Sequence, residues 1–261
     1  MSITLVIPII LGWLGGLFIN YIADVLPHTR KLTRPACPHC QNQFAWVDYL
    51  ALRGCRSCGK RRFARTWLVQ ILTTASFAYF WLFPSKALGI PLGMIVLVYF
   101  GIITVIDLEH RLILHSTSIA GAILGIITGT LIHSRANGLL GGMGRSVLGG
   151  VLGFGIMFLF YQLGAILARY RARKLQAAGQ ADDEEEALGG GDVFLLGVLG
   201  LMLGWPYIWD ALILGILLGG AVSLFFVIAL LLRRRYSSEA LMTFIPYGPY
   251  FIASAFYLLF L

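Results

Sequence analysis

The chain of 261 residues is 58% hydrophobic and only 12% charged, about half the roughly 25% charged share of an ordinary soluble domain. This balance excludes a protein made mainly of water-soluble domains and points to an all-α polytopic membrane protein. The net charge of +8 could suit nucleic acid, but the basic residues stand beside apolar runs, which reads as a topology signal facing anionic lipid.

A membrane span takes about 20 apolar residues. Eight runs are expected to serve, at Ile3–Ile22, Trp67–Phe83, Ile90–Ile106, Ser116–Ile132, Val147–Ala168, Val193–Trp205, Tyr207–Leu232 and Met242–Leu261. The sixth is short and is expected to take Gly189–Asp192 as its first turn. The first has no basic segment ahead of it and is longer than a signal-peptide core, so it reads as a retained helix. The division that follows is a first helix at 1–26, a cytoplasmic loop at 27–66, and a transmembrane core at 67–261 with a charged loop at 169–188. One set of alternate loops holds 17 of the 20 Lys and Arg residues, and the positive-inside rule makes that set cytoplasmic. Nothing in the pattern sets an oligomeric state.

All four cysteines lie in the first cytoplasmic loop. Cys37-Pro38-His39-Cys40 and Cys55-Arg56-Ser57-Cys58 form two C-x-x-C pairs. Each pair can grip one edge of a metal, and together they close a thiolate tetrahedron. A disulfide suits a reducing cytoplasm poorly. Structural zinc is the expectation, iron in an all-thiolate site is the alternative, and a saturated shell leaves no open position for chemistry. His39 reads as an exposed residue of the first knuckle.

Two acids sit at span ends. Asp107 closes the third run and Asp192 opens the sixth, after Gly189, Gly190 and Gly191. Three glycines remove side-chain bulk and permit unusual backbone angles, so another segment could approach the carboxylate. With the spans counted as above, both acids fall at the cytoplasmic face. A pair of carboxylates in a low-dielectric site shares a proton, and one can then activate water while the other polarises a carbonyl. That is aspartic-protease chemistry. Glu109 lies two residues past Asp107, so on a helix it points elsewhere, and Asn20 is expected to hydrogen-bond to a neighbouring helix. The run Asp182, Asp183, Glu184, Glu185 and Glu186 reads either as a solvated loop or as an electrostatic attraction for a basic peptide. A transporter or scaffold is the competing class, since intramembrane acids also mark ion pathways.

The glycine–aspartate stretch matches a G-x-G-D motif, and with Asp107 and the two Cys pairs the chain resembles the bacterial prepilin peptidases of the GxGD aspartic protease group. Gly16 to Asn20 through Leu26-Pro27, Leu52-Arg53-Gly54, Arg65, Ile106 to His110 and Ile245 to Pro249 also resemble that family's segments in the same order. The resemblance implies catalytic Asp107 and Asp192, a zinc loop on Cys37, Cys40, Cys55 and Cys58, and cleavage of type IV prepilins or pseudopilins at the cytoplasmic face of the inner membrane. It further implies N-methylation of the new N-terminus from S-adenosylmethionine in full-length members; shorter relatives are peptidases alone. The chain departs from the family's usual residues at Val25, Gln70, Leu114, His115 and Phe194, the last standing where a Lys is usual.

Overall fold

In a computed structural model the described residues are 5–177, 189–232 and 247–261. They form only helices and loops, and divide into two compact units: Met1–Arg111 with Phe260, and Leu112–Leu259 with Leu261.

In the first unit, α1 (Val6–Thr29), α3 (Ala64–Leu82) and α4 (Gly89–His110) pack against one another. The short helix α2 (Trp46–Leu50) lies in the loop between α1 and α3. Glycines set the α1–α3 contact: a Cβ at Gly12 would stand 2.8 Å from Thr74 Cα, and one at Gly16 would stand 2.8 Å from Gln70 Oε1. Close approach through small residues is how helices associate where lipid removes the hydrophobic drive between them. Asn20 is fully buried and donates from Nδ2 to the Thr66 carbonyl at 3.2 Å, tying α1 to the start of α3.

In the second unit, α5 (His115–Ala177) is a helical stretch broken at Gly138, which takes φ 68° and ψ 172°. Its two arms fold back on each other, because a Cβ at Gly142 would stand 2.6 Å from the Thr130 carbonyl and one at Gly129 would stand 2.7 Å from Ser146 Oγ. A straight helix would hold residues 129 and 146 about 25 Å apart at 1.5 Å per residue. Helix α6 (Gly190–Leu203) packs along this hairpin. Backbone meets backbone there, since a Cβ at Gly149 would stand 2.4 Å from the Gly200 carbonyl. Gly204, at φ 71°, ends α6 by donating its N–H to Gly200 at 2.8 Å. His133 on the hairpin caps the same end, with Nε2 donating to the Leu203 carbonyl at 2.8 Å. Helix α7 (Ile208–Leu232) and helix α8 (Gly248–Phe260) are joined by Ser254 Oγ, which donates to the Ala211 carbonyl at 2.9 Å.

The expectation of eight spans is corrected. Among the described residues four helices are long and apolar enough to cross a bilayer: Val6–Thr29, Gly89–His110, His115–Tyr170 and Ile208–Ala229. The third of these contains both the fourth and the fifth expected runs. Helix α3 carries Arg65, Gln70 and several hydroxyl side chains, which dilute its apolar character. Helix α6 has 14 residues, about 21 Å at 1.5 Å per residue, against a hydrocarbon core of about 30 Å. The beginning of the eighth run lies outside the described residues.

Candidate functional site

The four cysteines come together. Their sulfurs all lie within 4.8 Å of one another, with Cys37 and Cys58 Sγ at 3.7 Å and Cys40 and Cys55 Sγ at 3.6 Å. Each C-x-x-C pair closes with the same turn: Gln41 N–H donates to the Cys37 carbonyl, and Gly59 N–H to the Cys55 carbonyl, both at 2.8 Å. Four thiolates about 2.3 Å from a tetrahedral zinc lie about 3.8 Å apart, so the spacing of the donor set fits such an ion. His39 is exposed, as expected of a knuckle residue. Within the thiol cluster the Cys58 N–H lowers the Cys55 thiol to about 6. At Cys40 the Asn42 N–H pulls downward, but burial and the neighbouring thiols outweigh it and push Cys40 up to about 12.

Between this loop and the helices lies a set of charged residues that composition and spacing did not single out as a site. Arg65, at the start of α3, forks across three partners. Its Nη1 donates to Asn20 Oδ1 at 2.9 Å, its Nε to Glu109 Oε1 at 2.8 Å, and its Nη2 to Asp24 Oδ1. The other Asp24 oxygen accepts from Tyr49 Oη at 2.5 Å and from Arg62 Nη1 at 3.3 Å. Arg62 lies over the Tyr49 ring at 3.9 Å and near the Phe44 ring at 4.9 Å, a cation–π arrangement. Burial raises the Tyr49 phenol, and the Asp24 carboxylate raises it further. Asp48, buried in α2, accepts both forks of Arg56, Nη2 to Oδ1 at 2.8 Å and Nε to Oδ2 at 2.6 Å. Glu109, set aside in the sequence reading, thus joins α4 to α1 and α3. The available signal was Asn20 and Asp24, four residues apart and therefore on one face of α1.

Asp107 lies in the last turn of α4 and is 5% exposed. The chain leaves that helix through Arg111, at φ 51°, whose N–H donates to the Asp107 carbonyl at 2.9 Å. Asp192 lies in the first turn of α6 and is 7% exposed, with its N–H donating to the Gly189 carbonyl at 3.0 Å. Asp107 belongs to the first unit and Asp192 to the second. The glycines ahead of Asp192 serve space more than backbone freedom, since Gly189 sits at φ −70° and Gly190 and Gly191 are helical. A Cβ at Gly191 would stand 2.8 Å from Ile113 Cβ, whereas one at Gly190 would meet nothing. The two fixed glycines of G-x-G-D therefore flank an open position.

An apolar cavity of about 450 Å³ lies between the α5 hairpin and α6, lined among others by His115, Ser118, Val151, Phe154 and Phe194. The Phe194 ring packs edge-on to His115 at 5.8 Å and to Phe154 at 5.7 Å. The acidic run Asp182–Glu186 lies outside the described residues.

These features define an all-α, multi-pass membrane protein with a four-cysteine loop and with carboxyl groups buried at the ends of apolar helices. A model described as the type IV leader peptidase family matches residues 94–224, and one described as the bacterial peptidase A24 N-terminal domain matches residues 10–83. The chain belongs to that family, and with it to the multi-pass membrane proteins of bacteria. Curated relatives carry the name prepilin leader peptidase/N-methyltransferase. That of Myxococcus xanthus is 26% identical over 84% of this chain and 62% of its own length. That of Aeromonas hydrophila is 26% identical over 87% and 71%, and that of Pseudomonas aeruginosa is 27% identical over 93% and 85%. The chain thus spans less than two thirds of the first of these relatives. No solved structure matches it.

Proposed function

We propose that this chain is a membrane aspartic endopeptidase that removes the basic leader from type IV prepilins or pseudopilins at the cytoplasmic face of the inner membrane. The observation that carries the reading is the pair of buried acids at helix ends, Asp107 and Asp192, in a chain that belongs to the type IV leader peptidase family. Asp192 stands at a helix N-terminus, which favours an anion, and Asp107 at a helix C-terminus, which does not. We therefore give Asp192 the role of general base and Asp107 that of general acid. Water loses a proton to Asp192 and its oxygen adds to the peptide carbonyl carbon, while Asp107 donates a hydrogen bond to the carbonyl oxygen. Collapse of the adduct breaks the C–N bond, the proton held by Asp192 passes to the leaving nitrogen, and the products are the leader with a new carboxyl group and the mature chain with a free amine.

After the first transmembrane helix at 1–26, the loop at 27–66 is the region associated with methylation, and 67–261 forms the protease core with its charged loop at 169–188. Cys37, Cys40, Cys55 and Cys58 would hold a structural zinc that fixes the loop. The new N-terminal amine takes a methyl group from S-adenosylmethionine, releasing S-adenosylhomocysteine and a proton. The acidic residues Asp182, Asp183, Glu184, Glu185 and Glu186 attract the basic leader. The test is a cleavage reaction with a prepilin in lipid nanodiscs, read by product mass. The expected result is loss of the leader, with one added methyl only when S-adenosylmethionine is present. Intact substrate from several prepilins would overturn the peptidase reading, and cleavage without the methyl would remove only the second activity.

A further inference from the structure

Among the described residues, helix α2 leaves much of an apolar face uncovered. Trp46 is 42% exposed, Val47 71% and Leu50 50%, while Asp48 and Tyr49 between them are buried. Short loop helices of soluble proteins turn such residues inward, because exposed apolar clusters attract partners.

The position of α2 along α1 identifies what covers it. The Trp46 ring packs against Tyr21 at 5.4 Å and the Tyr49 ring against Tyr21 at 6.3 Å. Tyr21 stands eight residues before the end of α1 at Thr29, about 12 Å back along the helix axis at 1.5 Å per residue. It is only three residues, about 4.5 Å, past Phe18, which is half exposed and continues the outward apolar face formed by Ile10 and Leu14. The same level carries the charged side chains Asp24 and Arg65 with the buried Asn20 and Thr66, one level out from the neutral Gln70. It is the level at which hydrocarbon gives way to headgroups, where Trp and Tyr concentrate. On the exposed side Arg53 and Arg56 converge on the single Asp48 carboxylate, leaving a positive balance beside the apolar face.

We infer that Trp46, Val47 and Leu50 are seated in the headgroup region of the leaflet at this end of α1, with Arg53 and Arg56 facing anionic phosphates. The metal loop is then a membrane-surface element with an apolar foot and a basic rim, the arrangement of an interfacial helix. Anionic lipid strengthens the seating through its negative surface potential. The inference requires that α1 crosses the bilayer and does not depend on the peptidase activity.

The experiment uses the full chain in nanodiscs of phosphatidylcholine, with or without phosphatidylglycerol, whose acyl chains carry bromine near the headgroup end. Wild type minus Trp46→Phe gives the Trp46 emission alone. The expected component is blue-shifted, loses intensity with brominated lipid, and loses more when phosphatidylglycerol is present. A red-shifted component, untouched by bromine and quenched by aqueous acrylamide, overturns the inference and marks the face as open to a soluble partner. A second probe guards against a local effect of the Phe. Val47→Trp in the Trp46→Phe background should restore a lipid-quenched component, and a water-quenched component there contradicts the inference equally.

Discussion

Replacing Arg65 with Ala removes one guanidinium from Asn20, Asp24 and Glu109 together. The side chains of Asp24 and Glu109 keep between a fifth and a third of their surface exposed. Breaking a fully buried pair costs about 3–5 kcal/mol, and solvent screening lowers that here. Asp24 also retains Tyr49 and Arg62, whereas Glu109 keeps no other ion pair among the described residues. The expected loss is about 2–4 kcal/mol, drawn chiefly from the Asn20 and Glu109 contacts. Arg65→Lys should fall between, because a single ammonium cannot reproduce the fork. The assay is reversible unfolding in mixed micelles under increasing denaturing detergent, followed by helix signal. Because Glu109 is two residues beyond Asp107 on α4, prepilin cleavage by the folded variant should also drop in turnover more than in substrate affinity. Stability within about 0.5 kcal/mol of wild type, together with unchanged turnover, would refute the clamp.

Gly191→Ala should cost about 1–3 kcal/mol through overpacking against Ile113, whose Cβ would lie 2.8 Å away, while Gly190→Ala meets open space and should unfold like wild type; thermal shifts of the two variants in detergent decide it. Metal analysis of purified chain should give one zinc, lost on Cys37→Ser. In chelator-stripped protein Cys55, lowered to about 6, is mostly thiolate at pH 7 and should be alkylated first, its rate falling as pH drops below 6. Cys40, pushed up to about 12, should react last, and peptide mass mapping reads the order. Neutralising Asp182 to Glu186 should slow prepilin processing at low ionic strength and much less at high, because screening shortens the reach of exposed charge; equal rates at every salt concentration would contradict the attraction.

What could be read from the sequence was whatever is local. Two C-x-x-C pairs carry their own geometry, because each turn positions its two sulfurs without help from the rest of the fold. Gly189 to Asp192 could be read for the same reason, although spacing did not tell that Gly191 alone faces a crowded neighbour. The Arg65 network was hidden because Asn20, Arg65 and Glu109 are tens of residues apart and meet only once α1, α3 and α4 have packed. The span count failed where hydropathy and helix geometry part company. Residues 133–146, with Arg135 and Arg145, resemble a loop in composition, yet both sides of Gly138 are helical. The run after Asp192 is apolar enough for a span, but the helix that carries it, Gly190–Leu203, is ended after 14 residues by Gly204.

The central claim is that two buried carboxylates do the chemistry. It is tested most directly by comparing prepilin cleavage by wild type, Asp107→Asn and Asp192→Asn in nanodiscs under identical conditions, with helix content checked for each. Either change should lower the cleavage rate by at least about 100-fold, the lower bound for losing a positioned acid or base, with the fold intact. Cleavage by both variants within a few fold of wild type would contradict the account.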